Sequence, residues 1–110
     1  MEKILVTGAY GQIGSELIPL LREKYGSDNV IAGVHDSPLM DEVKLTGPSV
    51  NLDVTDQKQV QDIFASIQPD TVFHMASILS ALAEEDRKLA YKVNFESLYT
   101  ILETSVKYGV

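Results

Sequence analysis

The chain has no cysteine among its 110 residues, which excludes disulfides and thiolate chemistry and suits a reducing compartment. No apolar run approaches the roughly 20 residues of a membrane span. Cations are scarce: 9 Lys and Arg against 16 Asp and Glu leave a formal net charge of −7. That is the wrong sign for nucleic acid, whose binding requires neutralising cations. An apolar strand follows Met1 almost at once, leaving no room for a signal peptide. The expectation is a cytoplasmic protein with a small-molecule substrate and with neither nucleic acid nor membrane as partner. What the chain does have is apolar content, 45% of residues, enough for one core of ordinary size.

Its most distinctive stretch is Lys3-Ile4-Leu5-Val6-Thr7-Gly8-Ala9-Tyr10-Gly11-Gln12-Ile13-Gly14, an apolar strand that runs into three glycines and then an amphipathic helix. This order predicts a dinucleotide-binding turn. Gly8 permits a sharp exit from the strand, Gly11 lets backbone approach a pyrophosphate without a Cβ in the way, and Gly14 allows the helix to pack closely. The amides and positive dipole end of the helix would then face the phosphates. The bland alternative is an ordinary strand-to-helix turn whose glycines serve backbone geometry alone.

Strands and helices alternate along the rest, with no internal repeat and no low-complexity tract. A helix is expected from about Gln12 to Tyr25, with Leu17, Leu20, Leu21 and Tyr25 on or near one face and Pro19 kinking it or loosening its first turns. Val30–Val34 reads as a short buried strand, His35–Pro48 as a polar irregular connection and Val50–Val54 as a third strand. Asp56 is placed to cap a helix running to Ile67, with Val60, Ile63, Phe64 and Ile67 inward. Gln68-Pro69-Asp70 breaks the chain, and Thr71–Ala76 reads as a fourth strand. A long helix is expected from about Glu84 to Tyr108, with Ala90, Val93, Ser97, Ile101 and Ser105 at helical spacing. Continuous apolar strands separated by helices imply a parallel sheet covered on both faces. Right-handed crossovers make it a Rossmann-type, doubly wound α/β sheet of strand order 3-2-1-4, the N-terminal part of a larger fold.

Four groups of residues resemble the extended short-chain dehydrogenase/reductase family, which includes NAD-dependent epimerases and dehydratases. They are Thr7-Gly8-x-x-Gly11-x-x-Gly14, Asp53-Val54, His74-Met75-Ala76-Ser77 and Val93-Asn94. Three segments are similar to its threonine dehydrogenase branch: Gly11–Leu17, Tyr25–Ile31 and Ser77–Ala81. The resemblance implies NAD as cofactor, held by Gly8, Tyr10, Gly11, Gln12, Ile13 and Gly14 at the phosphates. Asp53 and Val54 would meet the adenine, and Met75, Ala76 and Ser77 the ribose and nicotinamide side. Asp53 is alternatively a turn aspartate beside Thr55 and Asp56. His74 reads as a packed strand residue rather than an acid or base. Ser80 lies in the substrate pocket on the family pattern, or else caps the following helix. Asn94 either supports the site through backbone hydrogen bonds or is a tolerated helix asparagine. The family pattern also implies a homodimer formed through the C-terminal helix.

Two departures qualify that pattern. The position at the end of strand two, where an acid usually holds the adenosine ribose, is Val34; Asp36 follows two residues later. No Lys or Arg lies between Lys24 and Lys44 to pair with a 2′-phosphate, apart from a protonated His35, so NAD remains favoured over NADP. Hydride transfer in this family uses a Tyr-x-x-x-Lys pair, whose lysine lowers the tyrosine pKa so that the phenol acts as general base. None of the five tyrosines has lysine four residues on. Residues 1–110 are therefore expected to be an incomplete N-terminal NAD(P)-binding segment, inactive alone, with the catalytic and substrate portions elsewhere. The expected activity of the whole is oxidation of the β-hydroxyl of L-threonine. A sugar-nucleotide epimerase or dehydratase and a non-catalytic dinucleotide-binding module are the alternatives.

Overall fold

A computed structural model describes residues 2–35, 39, 41–76 and 84–110. Its centre is β1, Ile4–Thr7, in which every residue is buried. Successive side chains of a strand point to opposite faces, and β1 divides accordingly. Ile4 and Val6 join Ile18, Leu21, Val30, Ala32 and Val43 on one face. Leu5 joins Ile31, Leu52, Val60, Phe64 and Ile101 on the other. The sheet is therefore buried on both sides, as parallel sheets require.

The strands are β1, β2 (Val30–Val34), β3 (Ser49–Asn51) and β4 (Thr71–His74), all parallel in the order β3-β2-β1-β4. Leu5 pairs with Ile31 on one side and Val72 on the other. The strand order is the one expected, and two strands are shorter. The third strand, expected over Val50–Val54, stops at Asn51 apart from one further bond from Leu52 N to the Val34 carbonyl at 2.8 Å. The Asp53 carboxylate then accepts from Thr55 N (3.0 Å) and Thr55 Oγ1 (2.6 Å), a local turn that competes with the ladder. The fourth strand, expected to reach Ala76, ends at His74, because β1 turns away at Gly8 (φ 65°); beyond it Met75 N still reaches the Thr7 carbonyl at 3.2 Å, and Ala76 N bonds the Thr7 side chain instead of continuing the ladder.

Helix α1 (Gln12–Tyr25) runs unbroken through Pro19. Its buried face differs from expectation: Ile18, Leu21 and Arg22 are buried, whereas Leu20 is 66% exposed. The buried Arg22 guanidinium donates from Nε (3.1 Å) and Nη2 (2.9 Å) to the Val30 carbonyl, and from Nη2 to Pro48 O (2.6 Å). Nη1 donates to Val43 O and to Thr46 Oγ1. A basic side chain thus serves as a core clamp for the connection before β3. That connection, expected to be irregular, contains the four-residue helix α2 (Asp41–Lys44), whose Val43 is buried in the α1 face of the core.

Helix α3 (Gln57–Ile67) is capped by Asp56, whose carboxylate accepts from Gln59 N at 3.2 Å. The Gln59 side chain reaches back to Asp53 N, a variant of the capping box. Val60 and Phe64 are fully buried, with Ile63 and Ile67 packed beside them. The last helix is divided. α4 (Arg87–Tyr91), capped by Asp86, passes through a π turn at Lys92–Glu96 into α5 (Ser97–Tyr108). The extra residue rotates the buried face onto Ser97, Thr100, Ile101 and Thr104, leaving Val93 and Ser105 only half-buried.

Candidate functional site

The site lies where open parallel sheets bind ligands, outside the carboxyl ends of the strands beside the point where strand order reverses. Two joined cavities share Gly8 and Tyr10. The larger, about 250 Å³, is lined by Gly8, Tyr10, Gly11, Gln12, Ile13, Gly14 and Met75. The smaller, about 90 Å³, is closed by Asp53, Val54, Thr55, His35, Leu52, Ala76 and Val93. A wider hollow of about 550 Å³ beside Val54, Tyr91 and Phe95 lies along the helices. Another, about 750 Å³ by Lys3, Gln68 and Asp70, opens at the amino ends of the strands.

The three glycines serve three different needs. A Cβ on Gly8 would sit 2.5 Å from Ala76 N, in a left-handed conformation besides, so β1 and β4 could not close there with any other residue. A Cβ on Gly14 would lie 2.7 Å from the Gly8 carbonyl, so the turn could not pack on α1. At Gly11 the backbone is extended (φ −70°, ψ 168°) and a Cβ would meet only Gly8 O, at an ordinary 3.4 Å. Among the described residues nothing requires glycine there. The free space is on the cavity side, where α1 begins without a side-chain cap and its first amides lack intrahelical partners. Those features fit a pyrophosphate, and the small cavity beyond adjoins Asp53 and Val54, the residues expected at the adenosine end.

Asp53 is the turn aspartate of the second reading, and it also borders the small cavity. One oxygen is held by Thr55; the other lies 3.8 Å from His35 Nε2 and borders the small cavity. Burial pushes the Asp53 carboxyl up, but the bonds from Thr55 and the nearby His35 outweigh it, and its pKa lies below the ordinary carboxylate value. Val34 lines neither cavity: it is half-buried, and its carbonyl is spent on Leu52 N. His35, the next residue, occupies the rim in its place. Ser77, Ser80 and Asp36 lie outside the described residues. Asn94 is half-buried on the π turn.

His74 is half-buried, and burial pushes its pKa below the ordinary imidazole value, so the ring is neutral at pH 7. Its Nδ1 lies 2.7 Å from Thr7 Oγ1 and its Nε2 3.2 Å from Ser97 Oγ. Sequence reasoning missed Leu52, Thr55 and Val93 as walls of the small cavity. Leu52 and Thr55 are neighbours of Asp53 and Val54 and were within reach of that motif; Val93 depends on the π turn, which periodicity did not reveal.

A four-stranded parallel sheet of this order, with a glycine turn opening onto a helix start, defines a dinucleotide-binding Rossmann-type protein. The chain belongs to the NAD dependent epimerase/dehydratase family, whose model matches residues 4–110. It is 42% identical over 108 residues to an uncharacterized epimerase/dehydratase of Staphylococcus saprophyticus, covering 98% of this chain and 34% of that protein. The fold is similar to L-threonine dehydrogenase from Clostridium difficile, with TM-score 0.93 and 41% identity over 99% of this chain and 34% of that one. It is also similar to Thermus thermophilus UDP-glucose 4-epimerase in complex with NAD, with TM-score 0.85 and 28% identity over 98% of this chain and 35% of that one. The chain spans about a third of the length of these relatives. No described helix is long and apolar enough to cross a membrane.

Proposed function

We propose that these residues form the NAD-binding part of a cytoplasmic L-threonine 3-dehydrogenase. The observation that carries the cofactor half of this reading is Gly11, a glycine that the fold does not need and a pyrophosphate does. The threonine half is supported by the likeness to the Clostridium difficile enzyme and by the segments Gly11–Leu17, Tyr25–Ile31 and Ser77–Ala81. In that reaction the C–H and O–H bonds at the threonine β-carbon break. NAD, held at the glycine turn, would supply the hydride acceptor, and a general base would take the hydroxyl proton, leaving a ketone. The base is a Tyr-x-x-x-Lys tyrosine supplied from outside these residues, and Ser80 contacts the substrate. The whole protein works as a homodimer paired through α4 and α5.

The likeness to the Thermus epimerase and the family description favour a second reading, a sugar-nucleotide epimerase or dehydratase, which shares every cofactor feature described above. The deciding experiment incubates the full-length protein with NAD and either L-threonine or UDP-glucose. Threonine-dependent growth of NADH absorbance supports the dehydrogenase. Interconversion of UDP-sugars with no net NADH selects the epimerase and overturns the threonine reading.

A further inference from the structure

The polar chain through His74 joins the two walls of the small cavity, and its proton positions are forced. Thr7 Oγ1 accepts from Ala76 N (3.2 Å) and from Met75 N (3.0 Å), the latter proton being shared with the Thr7 carbonyl at 3.2 Å. Its own proton is left for His74 Nδ1 at 2.7 Å, so Nδ1 is the unprotonated nitrogen of a neutral ring. The proton then sits on Nε2 and is donated to Ser97 Oγ at 3.2 Å. Ser97 in turn donates to the Val93 carbonyl. That carbonyl needs the hydroxyl, because the π turn diverts the Ser97 amide to Lys92 O. The run from Ala76 N through Thr7, His74 and Ser97 to Val93 O therefore has one consistent direction. Ala76 and Val93 both line the small cavity at the expected adenosine end.

We infer that His74 is a positioning residue for the dinucleotide: it touches no ligand, but as the Nε2-protonated tautomer it bridges the β4 wall to the π-turn wall and sets the width of the adenosine pocket. The inference rests on the dinucleotide reading above. It differs from a merely packed histidine in requiring one tautomer and in coupling that tautomer to ligand affinity.

In imidazole nitrogen–proton correlation spectra of the full-length protein, the His74 resonance is the one lost in His74→Gln, and His35, the other histidine of residues 1–110, is identified in the same way by its own variant. At neutral pH His74 should show a proton on Nε2 and none on Nδ1. Addition of NAD should shift that resonance and slow its exchange with solvent. By calorimetry, Ser97→Ala should weaken NAD binding about tenfold, the size of one lost bond, and should also lower the melting temperature, because the Val93 carbonyl and His74 Nε2 lose their partner. His74→Leu should weaken it further, and His74→Gln, whose amide can still donate to Ser97, should recover part of the loss. An Nδ1-protonated or cationic ring at neutral pH overturns the inference, as does a resonance indifferent to NAD or variants that bind NAD as tightly as the parent. Should Ser97→Ala or His74→Leu fail to fold, the unmutated protein still decides through its tautomer and NAD response. A parent protein that binds no dinucleotide refutes the cofactor reading instead, which separates the two failures.

Discussion

A Cβ placed on Gly47 would stand 2.5 Å from Arg22 Nε, so the guanidinium clamp and the glycine opposite it are one device. Among the described residues Arg22 has no carboxylate partner; it spends its donors on the Val30, Val43 and Pro48 carbonyls and on Thr46. Burial pushes its pKa down, yet an arginine keeps its charge. Arg22→Met should leave those carbonyls without donors and cost about 2 kcal/mol or more. Gly47→Ala should destabilise by about 1–3 kcal/mol through overpacking. Urea denaturation of each variant checks both, and equal stability of either with the parent would contradict the clamp.

The glycine turn makes a graded prediction. Gly11→Val should fold normally and lose dinucleotide affinity by about tenfold or more. Gly8→Ala should lose stability first, since a left-handed conformation and contact with Ala76 N both oppose a side chain there. Calorimetric NAD titration beside thermal melts separates the two, and a folded Gly11→Val with parental affinity would remove the pyrophosphate from this turn.

Cofactor choice follows from charge. Val34 ends β2 where an acid would hold a ribose, and no Lys or Arg lies between Lys24 and Lys44, so only His35 on the rim could meet a 2′-phosphate. NAD should bind more tightly than NADP near pH 8. Direct competition measures it, and a preference for NADP at that pH would show that a cation elsewhere in the protein reaches the site.

The His74 environment predicts the sign of a pH effect on stability. Burial lowers its pKa in the folded state. As pH falls below about 6.5, the unfolded chain takes up a proton that the folded chain does not, so stability declines until the folded pKa is passed. His74→Gln should flatten this part of the profile. Melts from pH 8 to pH 5 test it, and a slope unchanged in the variant would show that His74 does not carry the effect.

The outer face of the last helices predicts association. Tyr91 stacks on Phe95, and Phe95, Tyr99, Leu102 and Val106 are 67%, 63%, 57% and 83% exposed. An apolar surface this broad needs cover on more than one side. Residues 1–110 alone should self-associate and show no threonine-dependent NAD reduction, while the full-length protein should be a dimer. Sedimentation and a spectrophotometric assay check this; a stable monomer with dehydrogenase activity would contradict both statements.

Much of the fold was legible because it rests on local signals that agree with one another. The Ile-Leu-Val run ahead of the glycines could only be a buried strand, and Asp56 was placed to cap the following helix, which the structure shows it does by accepting from Gln59 N. The cavity at Gly8 to Gly14 was legible for the same reason. Strand ends were not. Asp53 left β3 because its own carboxylate captured Thr55, and β4 stopped where β1 turned off.

By itself, then, the sequence determined the alternation of strands and helices, the parallel order that right-handed crossovers impose, and the glycine turn, since each depends on neighbours a few residues apart. Tertiary structure alone decided that Arg22 would be buried and Leu20 exposed, because only the carbonyls of Val30, Val43 and Pro48, brought from three separate segments, make a buried guanidinium tolerable. It also decided the tautomer of His74. The partners on its two nitrogens come from Thr7 and Ser97, 67 residues before it and 23 after, and no periodicity in a chain reports a contact between side chains that far apart.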